Sequence, residues 1–365
     1  MYDYNSFYPW AMTKLPPITD GEWLQTKEFH DEYEGFYLVT GYVSDCKWPL
    51  VLKSCKGFVF AKGEKIYRVP MVSYEIREAL RNNELTIDCV DGWIWVPSDN
   101  SVNPFKDFVI EFYTEKELHR NDQSLYLQYK LILNSLYGKT YQALRIPRNA
   151  EEPDLVWNQR KGYAMKNRIL YRAGGLYLPH VGAWITSLSR AKLHEDMHRF
   201  EAIDCATDSF KTLKDVPTGE DLGDLKFVAE GLLLLVRPKL YVMFSKEIAE
   251  KIEQIGDLRE YLKTVDIESL RYPEDITKFA HHGFWGNIHQ LLELYRDQSN
   301  EYLCKHMTRI RESLKQEKNP RVFETQTRGI KVNWKTEVGF CGLKKGVASK
   351  TLELCSDQCF NCPYI

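Results

Sequence analysis

The sequence holds no apolar run long enough to cross a bilayer. Aliphatic stretches such as Leu232–Val236 fall far short of the roughly 20 residues that a membrane helix needs. Its opening, MYDYNSFYPW, lacks a basic segment followed by an apolar core, so no secretory signal is read there. No charge of one sign prevails: 49 Lys+Arg stand against 51 Asp+Glu, a formal net charge of -2. Nothing global therefore marks a polyanion binder, and any such surface has to be built locally. The nine cysteines are odd in number and mostly far apart. A disulfide framework is not expected, and a reducing compartment fits them best. Internal repeats and low-complexity segments are missing as well. What remains is 365 residues, 44% hydrophobic and 27% charged, which excludes a disordered or collagen-like chain. The length predicts two or three domains with proper cores.

Charge departs from the mean in places. Residues 130–172 carry nine basic residues against three acids, residues 305–335 carry the same surplus, and an Asp- and Glu-rich stretch between about 214 and 275 offsets both. Two basic blocks with aromatics nearby suit a polyanion groove, or simply a solvated face. Residues 20–110 read as strands and turns, with YLVTGYVSD, GFVFAKG and WIWVPSD set between Gly, Asp and Asn. The spacing of Leu125, Tyr129, Ile132 and Leu136 predicts a helix over about 112–139. A polar excursion follows at 143–167. A second helix is predicted over about 181–199, with Trp184, Leu188 and Ala191 on one stripe, and then a short strand from Phe200 to Cys205, a turn and a strand from about Ser209. The span 246–318 reads as mostly helical.

Three local patterns carry chemistry. Asp3-Tyr4-Asn5-Ser6-Phe7-Tyr8-Pro9 places a carboxylate at a strand end and a proline near a helix start. The backbone amides of Asn5, Ser6 and Phe7 could then cradle a phosphate, with Tyr8 beside the pocket. In Lys130-Leu131-Ile132-Leu133-Asn134-Ser135-Leu136-Tyr137-Gly138, helical spacing puts Lys130, Asn134 and Tyr137 on one face. Such a face could hold a triphosphate and a base, or be a solvated surface closed by Gly138 as a cap. Asp204-Cys205-Ala206-Thr207-Asp208-Ser209-Phe210 reads as a hairpin with an acid at its tip, where an Asp is ordinarily a turn residue.

In this order the three patterns resemble motifs A, B and C of the family B DNA polymerases, and most closely the protein-primed bacteriophage and organellar-plasmid branch. DYNSFYP is similar to D-x-x-S-L-Y-P, KLILNSLYG to K-x-x-x-N-S-x-Y-G, and ATDS to D-T-D-S. Arg237-Pro238-Lys239-Leu240-Tyr241 resembles the K-x-Y element, and Ile185–Arg190 the second palm helix. The resemblance implies an α+β fold: a polymerase palm with an antiparallel sheet, helical fingers and thumb, and a β-rich insertion between motifs A and B. It divides the chain into palm (1–13), an insertion resembling the first terminal-protein region (14–110), fingers (111–141), a second insertion (142–170), palm again (171–245), thumb (246–340) and a Cys-containing tail (341–365).

The same resemblance implies template-directed DNA synthesis from deoxynucleotides. Asp3 and Asp208, with the Tyr4 backbone, would hold two Mg²⁺ or Mn²⁺ ions. Ser6, Phe7, Tyr8, Lys130, Asn134 and Tyr137 would bind the nucleotide, Tyr8 as the steric gate against ribose. Lys239, Tyr241, Thr207 and Gly138 would contact primer and template DNA. Lys116 or Arg120 stands where the family tends to place a second triphosphate-binding cation, and Lys278 to Gly283, which includes His281 and His282, resembles a DNA-contacting thumb element. The implied partners are DNA, deoxynucleotides, a terminal priming protein and an exonuclease on another domain or subunit, since the chain begins two residues before Asp3. No membrane is implied, and the expected location is the cytoplasm, that of the host cell for a virus.

One position departs from the family pattern. The first acid of the motif C triplet is Ala206. Asp204 is a poor substitute, because along an extended strand it lies about 13 Å from residue 208 at roughly 3.3 Å per residue. Impaired catalysis is expected, and a non-catalytic DNA-binding remnant or one subunit of a split enzyme are the rival readings. At the C-terminus, Cys355, Cys359 and Cys362 have a spacing compatible with zinc or an iron–sulfur cluster, with Cys341 or a histidine as fourth ligand, against a tail of free thiols.

Overall fold

Two packing units share the chain: one holds Asp3–Phe200 with Val216–Lys226, the other Met1–Tyr2, Glu201–Asp215 and the described part of Phe227–Ser349. The structure, a computed structural model, describes residues 1–46, 48, 51–54, 57–60, 63–146, 163–166, 169–237, 239–307, 323–330, 332 and 339–340.

In the first unit β1 (Tyr2–Tyr4) runs into α1 (Phe7–Thr13). The strands expected over 20–110 are β2 (Gly21–Thr26), β3 (Glu34–Val43), β4 (Val51–Ser54), β5 (Gly57–Phe60), β6 (Glu64–Val72) and β7 (Leu85–Pro97). Four of them form an antiparallel sheet in the order β2-β7-β3-β6, and β4 pairs with β5. β3 alternates inward and outward, so Tyr37, Val39 and Val43 enter one core with Ile66, Val90 and Ile94. The strand reading of this region missed α2 (Ser73–Arg81), whose Ile76 and Ala79 are fully buried three residues apart.

The single helix expected over 112–139 is two, α3 (Lys106–Leu118) and α4 (Gln123–Thr140). The break is chemical: the Asp122 side chain accepts from the Ser124 and Leu125 amides and so begins a new helix. The buried stripe of α4 is also rotated from the expected one. Leu133 and Thr140 are buried, Leu125, Tyr129 and Leu136 are half-buried, and Ile132 is exposed. Gly138 lies inside α4 rather than capping it, since Tyr141 is the cap. β8 (Ala143–Ile146), β9 (Tyr163–Lys166) and β10 (Ile169–Ala173) form a sheet in the order β8-β10-β9. α5 (Pro179–Arg199) starts on Pro179, whose missing amide costs nothing there. Gly182 lets α5 pass close to the end of α4, because a Cβ there would sit 2.4 Å from the Tyr141 ring. Trp184 is fully buried with Met12, Val109 and Leu133.

The second unit contains the hairpin of β11 (Asp204–Ala206) and β12 (Ser209–Lys211). β1 and β13 (Leu225–Phe227) are the strands along which the chain passes from one unit to the other. Its larger core is carried by β14 (Leu232–Arg237), β15 (Leu240–Phe244), α6 (Lys246–Ile255), α7 (Leu258–Thr264), β16 (Ile276–His281) and α8 (Ile288–Asp297). β17 (Glu301–Met307) pairs with β18 (Phe323–Gly329), and β19 (Gly339–Phe340) completes a sheet in the order β16-β15-β14-β19. The span read as mostly helical is thus mixed, with β16 and β17 among its helices. The aliphatic run at 232–236 is a central strand of that sheet. Among the described residues no helix is long and apolar enough to cross a membrane.

Candidate active site

In the first unit the chain leaves β1 at Tyr4 and reverses through Asn5 and Ser6. Ser6 takes φ 49° and ψ 57°, a left-handed conformation uncommon outside glycine, and α1 begins at Phe7. The turn is pinned from several sides. The Asn5 amide donates to the Asp224 carbonyl at 2.8 Å, Asn5 Nδ2 to the Gly219 carbonyl at 3.1 Å, and the Gly223 amide to the Asn5 carbonyl at 2.8 Å. The Asn5 amide is therefore already engaged, which removes one of the three phosphate donors expected from the sequence. Tyr4 is buried, its ring stacked on Phe7 at 3.9 Å. Its hydroxyl donates to Asp196 Oδ2 at 2.6 Å, and burial with that carboxylate raises its pKa well above the usual tyrosine range.

Two ammonium groups reach this turn, and the charge of a third acts on one of them. Lys226 Nζ lies 3.1 Å from Asp3 Oδ2. Lys116 is buried, donates to Ser6 Oγ at 3.3 Å, pairs with Glu117 at 2.8 Å and sits over the Tyr113 ring at 4.0 Å. Burial pulls the Lys116 pKa down, the charges of Lys130 and Lys226 act the same way, and Glu117 opposes them. Lys130 is the exposed member of the three, on α4. Of the two cations considered upstream of Lys130, Lys116 is the one at the turn; Arg120 is taken by Glu117 and by Glu220 at 3.1 Å. Tyr8 on α1 stacks on Tyr137 of α4 at 4.5 Å, and burial raises the Tyr137 pKa. Asn134 and Gly138 are exposed on the same helix, and a Cβ on Gly138 would meet nothing within 4 Å.

The second unit holds the hairpin that the sequence predicts around Asp204–Phe210. Asp204 pairs in register with Lys211, Cys205 with Phe210 and Ala206 with Ser209, leaving Thr207 and Asp208 at the tip. Asp208 is exposed there. Thr207 has φ 59°, a genuine outlier for a β-branched residue. Its hydroxyl accepts from Lys239 Nζ at 3.2 Å, and Lys239 itself has φ 61°. An open groove of about 770 Å³ runs along the tip, lined by Thr207, Asp208, Lys239, Tyr241 and the segment 279–285 with its two histidines. This groove gathers Thr207, Lys239 and Tyr241, three of the four predicted primer-side residues, on one surface.

Asp204 does not face that groove as a spare ligand. Its carboxylate is ion-paired with Lys211, side chains 7% and 3% exposed, and Lys211 Nζ lies over the Tyr241 ring at 3.9 Å. Burial, then the Asp204 charge, pushes the Cys205 thiol up to about 11, so it is no metal-ready thiolate. Lys116 and Lys226 are functional candidates that local sequence reading did not commit to. Lys226 stands far from Asp3 in sequence, and only the fold brings them together. Pro238, Cys341, Cys355, Cys359 and Cys362, and most of residues 142–170, lie outside the described residues.

Residues 1–147 match the family described as DNA polymerase type B, organellar and viral, the family that the patterns at Asp3 and Lys130 resemble. No curated protein matches the chain. Among solved structures it is similar to Phi29 DNA polymerase complexed with primer-template DNA and incoming nucleotide substrates, with 19% identity, a TM-score of 0.47 and 67% of this chain covered. It is likewise similar to Phi29 DNA polymerase complexed with single-stranded DNA, with 18% identity, a TM-score of 0.47 and 67% covered. The chain spans 45% and 44% of the length of those two proteins.

Proposed function

We propose that this chain is a template-directed DNA polymerase that joins deoxynucleotides to a primer 3′-hydroxyl. The observation that carries the reading is the turn after Asp3, where Lys226 meets Asp3, Lys116 meets a left-handed Ser6, and the Lys130 charge acts on Lys116, with the Tyr8–Tyr137 stack on the helix that follows. A cluster of ammonium groups at a strand-to-helix turn suits a triphosphate. Lys130 and Lys116 would bind its oxygens, the Ser6 and Phe7 amides would assist, and Asn134 and Tyr137 would line the base and sugar. The Tyr8 ring, held by Tyr137, would fill the volume that a ribose 2′-hydroxyl needs. On the primer side Lys239, Tyr241, Thr207 and Gly138 would steady the DNA backbone.

The carboxylates of Asp3 and Asp208 and the Tyr4 carbonyl are hard oxygen donors, the kind that Mg²⁺ or Mn²⁺ would take. When bound, two such ions activate the attacking oxygen and neutralise charge on the leaving pyrophosphate. Lys226 would compensate the Asp3 carboxylate in the free protein. The insertion at 14–110 would meet a priming protein, as the family branch does.

A second reading has one observation in its favour. Ala206 offers no ligand atom, and Asp204 is committed to Lys211, so a DNA-binding remnant without catalysis fits motif C. Primer extension with Mg²⁺ separates the two. The chain is compared with Ala206→Asp, and Asp208→Ala serves as the inactive control. Extension by either of the first two, lost in the control, supports the polymerase reading. DNA binding without extension by either supports the remnant.

A further inference from the structure

Away from the residues discussed so far, Glu84, His194 and His198 meet in one largely buried cluster. Glu84 follows the turn after α2, where Asn83 takes φ 56°, and leads into β7. His194 and His198 stand four residues apart on α5, so one helix face presents both rings. Nε2 of His194 lies 3.2 Å from Glu84 Oε2, and Nε2 of His198 lies 2.6 Å from Glu84 Oε1. One donor atom from each residue falls within 4.8 Å of the other two.

The histidine–carboxylate contacts of the cluster are close but are not aligned as hydrogen bonds. Glu84 is 2% exposed, and neither of its carboxylate oxygens is met by a donor in hydrogen-bonding geometry. His198 Nε2 and His194 Nδ1 are orphaned in the same sense. A carboxylate buried this deeply needs a cation. A metal ion held by Glu84 and the two imidazoles beside it would supply that charge. Further polar atoms surround His194. The Trp48 carbonyl oxygen lies 2.9 Å from Nε2, and Glu78 Oε1 lies 3.8 Å from Nδ1, on the side where an orienting carboxylate stands in metal-bound histidines.

We propose that Glu84, His194 and His198, with the Trp48 carbonyl oxygen as fourth ligand, form a structural zinc site that fastens the segment leading into β7 to α5. Two imidazoles and a carboxylate suit Zn²⁺ better than Mg²⁺ or Ca²⁺, which prefer all-oxygen sites. Burial of the donors makes the site a closed clamp rather than a place for substrate. It uses neither Asp3 nor Asp208 and none of the cysteines.

The test uses the full chain with Cys355, Cys359 and Cys362 changed to Ser, so that the tail thiols cannot supply the metal. After equilibration with Zn²⁺ and desalting, metal is counted by atomic emission, and Co²⁺ replaces zinc for absorption spectroscopy. The expected result is one zinc per chain and a tetrahedral Co²⁺ spectrum without a thiolate charge-transfer band. The Glu84→Gln/His198→Gln variant should retain at least tenfold less zinc, and chelation should lower the melting temperature of the parent but not of this variant. The proposal is overturned if the parent retains no more zinc than the variant, or if its Co²⁺ spectrum is octahedral or shows thiolate bands. Should the variant misfold, the Co²⁺ spectrum of the parent alone still decides.

Discussion

Asp204→Asn would remove one charge from an ion pair whose side chains are 7% and 3% exposed. Lys211 would keep its ammonium against the Tyr241 ring at 3.9 Å but lose its carboxylate. At an effective dielectric near 20, two unit charges about 4 Å apart attract by about 4 kcal/mol. Breaking a buried pair from one side typically costs about 3–5 kcal/mol, and the ring contact returns about 1–2 kcal/mol. The expected loss of stability is therefore about 2–4 kcal/mol for Asp204→Asn. The double change Asp204→Asn/Lys211→Met leaves no orphan charge, and it should cost less than about 1.5 kcal/mol. Urea unfolding of the parent, both single variants and the double variant gives the coupling energy, expected at about 2–3 kcal/mol. The double variant is then placed in the Ala206→Asp background and assayed for primer extension. If Asp204 only shapes the hairpin, extension persists within a few-fold. Additive stability costs would refute the pair as described. A well-folded double variant that loses extension would make Asp204 a metal ligand after all, and the reasoning about motif C would fall.

Three further outcomes are expected. Gly138→Ala should raise the melting temperature, since alanine gains about 1 kcal/mol over glycine inside a helix and its Cβ meets nothing, yet it should lower primer extension; unchanged extension would remove Gly138 from the DNA contact. Tyr8→Ala, tested in the Ala206→Asp background, should reduce discrimination against ribonucleotides at least tenfold in the ratio of kcat/KM values, and an unchanged ratio would dismiss Tyr8 as the gate. In chelator, the stability provided by His194 should be complete below about pH 6.5 and disappear as pH rises through about 9, because its folded pKa lies above the unfolded value. The loss is at most about 3 kcal/mol, read from urea midpoints, and His194→Gln should flatten the profile.

The patterns at Asp3 and Lys130 can be read from sequence because they are local: Asp3, Ser6 and Tyr8 lie within six residues, and Lys130, Asn134 and Tyr137 follow helical spacing. What sequence could not supply was each residue's commitments. The Asn5 amide is taken by a carbonyl 219 residues away, and Asp204 is taken by Lys211, a pairing that only the hairpin register makes plain. The α4 stripe was misplaced because Leu131, Ile132 and Leu133 are all apolar, and packing into the core shared with α1, α3 and α5 rather than periodicity selects Leu133 as the buried one. α2 went unread although Glu75 in its first turn and Arg81 in its last suit a helix dipole. β16 and β17 were read as helix because strand pairing is a long-range contract that a local window does not see.

The route of the chain between its two units limits how this protein can be divided. The polypeptide changes unit after residues 2, 200, 215 and 226. A fragment ending at Phe200 would lack Lys226, which faces Asp3, and the Asp224 carbonyl and Gly219 carbonyl that hold Asn5. The complementary fragment would lack Met1, whose amino group donates to the Ala229 carbonyl at 2.8 Å. Neither piece inherits a whole site. Gene fusion or splitting at these crossings would thus separate partners on both sides, whereas insertion of foreign sequence into an exposed loop such as 98–104 interrupts none of them. Chain connectivity thus ties Met1, Asp3 and Asn5 to partners between Gly219 and Ala229, so a division that keeps those contacts has to keep both stretches.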